Sequence, residues 1–253
     1  MSARETDNQR LLVRIREYHH ASEGVMGMPR MHEELGYDGE TASRNRVARL
    51  MRRHGLFGVP RRRLFRGKRV GVRPDHVRNL IERDFVALEP NTKWVTDITC
   101  IRTGEGWLYL CTVLDLYSHK IIGWSMSGIQ DRHMVIKAVV MACWQRTDRE
   151  PVVLHSDRGT QFTSGDYQQF LADHSMVSSM SAVGHCADNA AAEGFFGMMK
   201  RERINRRRYA TLADARSDVF DYIERFHNPR MQRRIDVRDQ AFTALTQLSV
   251  ETG

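Results

Sequence analysis

The chain has 253 residues and a net charge of +8, and 41% of its residues are hydrophobic. This length is enough for one large or two small domains, and the hydrophobic share supports a buried core. The apolar runs fall far short of the roughly 20 residues that a membrane span needs, and nothing resembles a secretory signal, so no membrane association is expected. The four cysteines form no CxxC pair, which argues against a zinc site and predicts a reduced, cytoplasmic protein.

The positive charge lies in the N-terminal part of the sequence. Residues 1–73 carry a net charge of +9, whereas the remaining residues carry a net charge of −1. A basic segment on a near-neutral body predicts a polyanionic partner such as nucleic acid.

Helical spacing dominates this basic segment. Residues 9–22 are predicted to form one helix, and residues 28–56 two helices with a short turn between them. Gly36 is expected to end the first helix of that pair, and Thr41 or Ser43 to cap the second. The pattern favours a DNA-binding helix-turn-helix, with a small helical bundle that has a solvated basic face as the alternative. The arginines predicted to contact DNA on the last of these helices are Arg44, Arg46, Arg49 and Arg53.

A very basic run, RRRLFRGKR at residues 61–69, follows the helices. It is predicted to be a linker that can bind phosphates. The predicted domains are a helix-turn-helix domain at 1–58, a basic linker at 59–90, a catalytic core at 91–208, and a C-terminal helix and tail at 209–253.

The rest of the chain alternates strands with helices. The runs TKWVTDITCIRT, GWLYLCTVLDLY and KIIGWSMS are rich in β-branched and aromatic residues, which predicts an antiparallel meander. PVVLHSD is the nearly all-apolar run expected of a strand buried on both faces, and VSSMSA is a further strand. Four helical runs complete the order βββαβαβαα. This order predicts a mixed five-stranded sheet flanked by helices.

Three acids stand out within these elements. Asp97 lies inside the first strand, Asp157 ends the buried strand, and Glu193 lies in a helix. A charged residue in a central strand is costly unless it is paired or bound to a metal. Three carboxylates at one sheet edge suit Mg²⁺, and no His/Cys cluster competes for a softer metal. Taken singly, Asp97 could equally be a satisfied polar residue of a strand, Asp157 a turn former and Glu193 a surface residue of a helix.

The contexts of the acids are WVTDIT, HSDRGTQFTS and DNAAAEGFFGMMKRE. Together they resemble the catalytic core of DDE transposases and retroviral-type integrases, and most of all the OrfB-type transposases of the IS-three family of bacterial insertion sequences. Asp157 and Glu193 are separated by 35 residues, as in the family's D, D-35-E pattern. VARLMRRHGL in the helical segment is also family-like. The resemblance implies an RNase H-like α/β fold preceded by a small all-α helix-turn-helix domain.

The resemblance also implies roles for individual residues. Asp97, Asp157 and Glu193 match the metal-binding catalytic triad, which would hold two Mg²⁺ ions, with Mn²⁺ as a substitute. Asp115 is expected to be a site neighbour or a structural acid at a strand end, and Asn189 a helix cap or a DNA contact. The positions that would shape or support the site are Asp115, His155, Gln161 and Asn189.

Basic residues follow the third acid. Lys200 lies seven residues after Glu193, two helical turns along the same face, and is predicted to bind a DNA phosphate. Arg201 and Arg203 are predicted DNA contacts, or else a solvated basic end. The sequence departs from the family with His119 in place of Arg, and with His227 in place of Tyr in the C-terminal motif, which keeps only part of its pattern.

These features predict a Mg²⁺-dependent transposase that cleaves DNA and transfers strands by two-metal phosphoryl transfer. The expected partners are double-stranded DNA, as terminal inverted repeats and target, further copies of the chain on that DNA, and an OrfA-type product of an upstream frame, separate or fused by frameshifting. The alternatives are a plain RNase H-like nuclease and a catalytically inactive DNA-binding regulator.

Overall fold

The computed structural model describes residues 2–60, 78–82, 84–146, 150–181 and 189–251, with side chains described up to residue 243. The basic run at 61–69 and the residue Asp188 therefore lie outside the described residues. The chain divides into two compact units, one of residues 1–66 with 236–253 and one of residues 67–235. None of the described helices is long and apolar enough to cross a membrane.

The described residues of the first unit contain three N-terminal helices: Ala3–Ala21 (α1), Met28–Tyr37 (α2) and Arg44–Arg53 (α3). Their buried faces meet in a small core of aliphatic side chains, with Ile15, Met31 and Val47 wholly buried. Ser43 caps α3 as predicted, because its side chain accepts a hydrogen bond from the Arg46 amide at 3.4 Å. The prediction that Gly36 ends α2 is wrong. Gly36 lies inside the helix, and the left-handed backbone of the turn falls at Gly39, where φ is +82°.

The second unit is built on a mixed sheet of strand order β3-β2-β1-β4-β5. The first three strands form the predicted antiparallel meander, and β4 and β5 run parallel to β1. This confirms the predicted mixed five-stranded sheet. The strands in the described residues are Lys93–Thr103 (β1), Gly106–Asp115 (β2), Ile121–Ser127 (β3), Val152–Ser156 (β4) and Met176–Met180 (β5).

Helices cover both faces of this sheet. Arg132–Trp144 (α4) and Gly165–Asp173 (α5) pack on one face, and Ala190–Glu202 (α6) and Leu212–Phe220 (α7) contribute to the apolar core on the other. Gly123 in β3 lets α4 approach closely, since a Cβ there would lie 2.1 Å from the Ala138 carbonyl oxygen. The α/β layering is the predicted one.

The C-terminal region continues beyond the predicted helix. A 3₁₀ turn at Ile204–Arg206 precedes α7, and a π-helical segment at Asp221–His227 joins α7 to a long helix, Asn228–Glu251 (α8).

Asn228 ties the start of α8 to the sheet. Its side-chain amide accepts from the Ile121 N–H and donates to the Ile121 carbonyl, both at 2.9 Å. His227 Nε2 lies 2.9 Å from the His119 carbonyl oxygen. The two departures from the family pattern, His119 and His227, are therefore in contact, and the tail motif anchors α8 on the β2–β3 connection.

Candidate active site

Strand pairing brings Asp97 and Asp157 side by side. Val95 of β1 pairs with His155 of β4 in parallel register, and each of the two acids lies two residues further along its own chain. Neighbouring strands are about 4.8 Å apart, so the acids lie level with each other at the edge where β4 ends. The sequence contains both acids, but only this register makes them neighbours.

Asp97 is held in an electrostatically unfavourable environment. Its side chain is partly buried. Among the described residues, it accepts one hydrogen bond, from the Ile98 amide to Oδ1 at 2.8 Å. Burial, followed by the negative charges of Asp157 and Glu193, raises the pKa of Asp97 from 3.8 to about 7. The Ile98 N–H and the ammonium of Lys200 act in the opposite direction. Asp157, Glu193 and Lys200 thus all lie close enough to Asp97 to act on its carboxyl group.

Asp157 lies in an exposed turn directly after β4. Its Oδ1 accepts the Gly159 amide at 2.9 Å. A Cβ on residue 159 would lie 3.2 Å from that oxygen and 3.0 Å from Gln161 Oε1, so glycine keeps the turn open beside the carboxylate. Gln161 donates to the Gln130 carbonyl at 3.4 Å, which makes it a loop contact at the edge of the site.

Helix α6 carries Glu193 and Lys200 towards this edge. Both residues are partly buried and lie two turns apart, as predicted. Asn189 is the residue before the helix, but its side chain does not cap α6. Its Nδ2 instead donates to the Thr96 carbonyl at 3.4 Å, next to Asp97, and its buried Oδ1 has no hydrogen-bond partner among the described residues.

The acids do not form a closed metal cage in this structure. Among the described residues, no three His, Cys, Asp or Glu side chains are grouped closely enough to be a ready-made ion site. The donor chemistry nevertheless fits a hard divalent cation, because all three groups are carboxylates and the Asp97 environment disfavours a further negative charge.

Two of the predicted supporting residues have internal structural contacts. Asp115 is buried, and its carboxylate accepts from the Asn91 amide at 3.1 Å and from the Ser118 amide and hydroxyl at 2.9 and 2.6 Å. It therefore organises the turn after β2. His155 is fully buried between the hydroxyls of Ser179 and Ser181, at 2.8 and 3.1 Å, so its side chain is not exposed at the surface.

The predicted DNA-binding arginines divide into two groups. Arg201 and Arg203 lie against buried carboxylates, Arg201 3.0 Å from Glu202 and Arg203 3.4 Å from Asp218. Arg46 likewise pairs with Asp7 at 2.7 Å inside the helical unit. The remaining members are exposed on α3: Arg44, Arg49 and Arg53.

Two acids just beyond the site are buried structural centres that the sequence did not predict. Glu202 is 2% exposed and accepts from the Tyr222 hydroxyl at 2.8 Å, in addition to Arg201. Asp218 is 6% exposed and accepts from Arg203, from Arg207 and from the Tyr209 hydroxyl at 2.5 Å. Apart from Arg201, which is next to Glu202, these partners lie 9 to 20 residues away in sequence, so no local pattern indicates them.

Family models match most of the chain. An HTH-like domain matches residues 6–63, and two integrase core domain models match residues 87–186 and 193–248. These matches and the mixed sheet define the second unit as an integrase core of the RNase H-like class, preceded by an all-helical HTH-like domain.

Relatives over much of the length specify the family. The chain is 41% identical over 206 residues to the transposase InsF for insertion sequence IS3A of Escherichia coli K12, covering 80% of this chain and 70% of that protein. It is 35% identical over 242 residues to the transposase for insertion sequence element IS904 of Lactococcus lactis IL1403, covering 94% of each. The chain belongs to the IS3 family of insertion-sequence transposases, OrfB type.

A solved structure gives a weaker likeness. The catalytic domain of the Mos1 mariner transposase is 11% identical, with a TM-score of 0.46, covering 56% of this chain and 76% of that one. The family assignment rests on the sequence relatives and family models instead.

Proposed function

We propose that this transposase cleaves DNA at the ends of its insertion sequence and joins those ends to target DNA, with divalent metal held by Asp97, Asp157 and Glu193. The observation that carries the proposal is the Asp97 environment, where burial and two neighbouring carboxylates raise the pKa to about 7. Such strained charge clusters are typical of functional sites and are costly in a purely structural role.

The three carboxylates would supply oxygen ligands for two Mg²⁺ ions, with Mn²⁺ as a substitute. When bound, the ions would activate the attacking oxygen and stabilise the leaving oxygen of phosphoryl transfer. The carboxylates lie on a strand, a strand end and a helix, so the sheet and α6 set their spacing before DNA binds. Metal binding would complete the grouping, since the three carboxylates are not yet close enough together to form an ion site.

The reaction proposed has two steps. Water attacks a phosphodiester at the element end, breaking the P–O bond to the 3′ oxygen, which leaves as a 3′-OH. That hydroxyl then attacks a phosphodiester of the target, and the displaced DNA oxygen takes up a proton. Lys200 binds a phosphate beside the carboxylates, because its ammonium already lies near Asp97.

The proposal assigns DNA contacts beyond the site. Arg44, Arg49 and Arg53 on the exposed face of α3 bind the DNA backbone or bases. Arg201 and Arg203 hold α6 through their acidic partners first, and any phosphate contact they make is secondary. The domain boundaries proposed are 1–58, 59–90, 91–208 and 209–253.

The proposed assembly contains double-stranded DNA, more than one copy of this chain, and an OrfA-type product of an upstream frame, separate or fused. The DNA supplies both terminal inverted repeats and the target. The proposed location is the cytoplasm, where a bacterial element meets chromosomal DNA.

The test is a strand-transfer assay with Mg²⁺ and oligonucleotides carrying the terminal repeats that flank the coding sequence. Asp157→Asn is expected to abolish both cleavage and joining. Asp173→Asn is the matched control, because Asp173 is an exposed acid on α5 whose side chain accepts a hydrogen bond from Gln169 of the same helix at 2.8 Å. Equal products from Asp157→Asn and the wild type would refute the catalytic assignment.

The two alternatives give different products in the same assay. Cleavage without joining identifies a plain nuclease. DNA binding without cleavage under Mg²⁺ or Mn²⁺ identifies an inactive regulator.

A further inference from the structure

A chain of hydrogen bonds runs through the buried side of β4 and β5 to the strand end that carries Asp157. The Leu80 amide donates to Ser179 Oγ at 2.9 Å, and Ser179 Oγ lies 2.8 Å from His155 Nδ1. His155 Nε2 lies 3.1 Å from Ser181 Oγ, which in turn donates to the Ser156 carbonyl at 3.4 Å. The side chains of His155, Ser179 and Ser181 are all buried.

The groups at the two ends of this series of hydrogen bonds determine which atom donates at each step. A backbone N–H is only a donor and a carbonyl is only an acceptor, so the hydrogen bonds start at Leu80 and end at Ser156. Ser179 accepts from Leu80 and is left with its own hydrogen for Nδ1 of His155. A neutral imidazole that accepts at Nδ1 donates at Nε2, so Ser181 accepts there and passes its hydrogen to Ser156. Each hydroxyl accepts once and donates once, with no conflict along the chain.

This series of hydrogen bonds ends at Ser156, the residue directly before Asp157, which is the proposed metal ligand. The Ser156 carbonyl also accepts the Ser181 amide at 3.1 Å, and the Ser181 carbonyl accepts Arg158 Nε at 2.5 Å. The residues on both sides of Asp157 are thus bound to Ser181, whereas Asp157 itself is exposed. Beyond the last ladder pair, Ser156 with Met180, the sheet no longer fixes the backbone.

We propose that His155 is a positioning residue for Asp157: with Ser179 and Ser181, it fixes the end of β4 against β5 and against the segment 78–82. The inference rests on the proposed function, since it matters for activity only if Asp157 holds metal. Partners that orient metal ligands in this way are a general feature of metal sites, and their loss commonly costs 10- to 100-fold in metal affinity.

The segment 78–82 is the far end of this support. Ile81 is buried in the core, and the Arg78 carbonyl accepts the Met180 amide at 3.3 Å, so the segment lies along the outer edge of β5. The hydrogen-bonded chain therefore links this segment to the strand end beside the active site.

Two substitutions at residue 155 distinguish the hydrogen bond to Ser179 from the hydrogen bond to Ser181. Asparagine places its amide oxygen near the position of Nδ1, so it keeps the bond to Ser179 but does not reach Ser181. Glutamine reaches further and places its amide nitrogen near the position of Nε2, so it restores the bond to Ser181. Both remove the ring and lose similar packing, which makes them matched controls for a merely structural effect.

The experiment follows the melting temperature of the full chain across a Mg²⁺ titration, with Mn²⁺ as a second ion. His155→Asn and Ser181→Ala are expected to raise the half-saturating metal concentration about tenfold, and His155→Gln less than about threefold. Ser178→Ala, one residue from Ser179 but on the opposite side of β5, is expected to match the wild type. Equal metal titrations for His155→Asn and His155→Gln, or an unchanged titration for Ser181→Ala, would overturn the proposal.

Asp157→Asn separates failure of this inference from failure of the proposed function. If Asp157→Asn abolishes the metal-dependent shift but His155→Asn leaves it unchanged, the positioning role alone is refuted. If the wild type and Asp157→Asn show the same response to metal, the metal site itself is refuted, and the positioning role with it.

Discussion

Two groups of carboxylates lie within the integrase core, and their surroundings differ. The proposed catalytic group is Asp97, Asp157 and Glu193, and the described hydrogen bonds to the side chains of Asp97 and Asp157 come from one backbone N–H each. The structural group is buried among many donors and contains Asp115, Glu202 and Asp218. Asp218 alone accepts from two arginines and a tyrosine.

This difference shows how the fold distributes its charges. A buried carboxylate with several donors is matched internally and stabilises the fold only while its partners remain. In the proposed catalytic group, Asp97 and Asp157 each have one described donor, so their negative charge is available for a cation that comes with the substrate. α6 carries one acid of each group, Glu193 near its start and Glu202 at its end.

The largest effects on strand transfer and on stability are expected when either of these two acids of α6 is replaced by glutamine. Glu193→Gln should lower strand transfer roughly 100- to 1000-fold, because it removes a proposed metal ligand, and it should change the melting temperature less than Glu202→Gln does, because Glu193 is only partly buried. Glu202→Gln should do the reverse, since it leaves Arg201 without its charged partner while the reaction centre is untouched. Parallel measurement of strand transfer and thermal unfolding checks both. An inactive but stable Glu202→Gln would remove the distinction between the groups.

Asp218→Asn is expected to give the next largest effect. It should lower the free energy of unfolding by about 3 kcal/mol, because breaking a buried ion pair leaves its partners uncompensated. Denaturant unfolding measures the change. Asp221→Asn is the control, since Asp221 lies in a partly exposed i,i+4 pair with Arg225 and its loss should be small. Comparable losses in the two variants would mean that the Asp218 cluster is not a structural centre.

Asp97→Asn should stabilise the metal-free protein at pH 8 by on the order of 2 kcal/mol. The reason is that it removes a carboxyl group whose pKa is raised by burial and by the charges of Asp157 and Glu193. The same change should abolish strand transfer. Asp115→Asn is its counterpart in the structural group and should destabilise, since one amide oxygen replaces a carboxylate that accepts three hydrogen bonds. Thermal melts in EDTA distinguish the two variants. Destabilisation by Asp97→Asn would contradict the conclusion that the charge of Asp97 is unfavourable in the folded protein.

The smallest effect concerns pH. A carboxyl whose folded pKa is raised contributes stability that is complete below its unfolded pKa, near 3.8, and is lost as pH rises through about 7. The metal-free wild type should therefore lose about 1–2 kcal/mol, relative to Asp97→Asn, between pH 5 and pH 7. Unfolding curves of both proteins at matched ionic strength give this difference, and parallel pH profiles would show that Asp97 titrates normally.

Local sequence patterns predicted much of the fold. The β-branched and aromatic residues of the meander strands, the apolar run of β4 and the helical spacing of α4 to α6 are local features, and all of these elements appear in the structure. The same holds for the Ser43 cap, which depends on residues three apart. Gly36 was misplaced because a glycine is tolerated inside a helix, and the left-handed turn fell at Gly39.

The candidate site was predictable in its members but not in its contacts. The spacing and contexts of the three acids indicated a common site, and their proximity in the fold agrees with that prediction. The alternating pair Ser179 and Ser181 was visible as one face of a strand, but nothing local assigns it to His155. Arg201 and Arg203 were expected to face DNA, because charge in a sequence does not reveal which acids are buried, neither the adjacent Glu202 nor Asp218, 15 residues from Arg203.

The sequence by itself determined the elements, their order, the family and the identity of three acids, because these follow from periodicity and from motifs with fixed spacing. Only the tertiary structure decided which charges are matched. The parallel register of β1 and β4 places Asp97 level with Asp157, and the packing of α6 and α7 gives Glu202 and Asp218 their donors. Hydrogen bonding and desolvation act between residues distant in sequence, so some carboxylates become structural centres, whereas Asp97 and Asp157 keep one described donor each and remain suited to a metal ion.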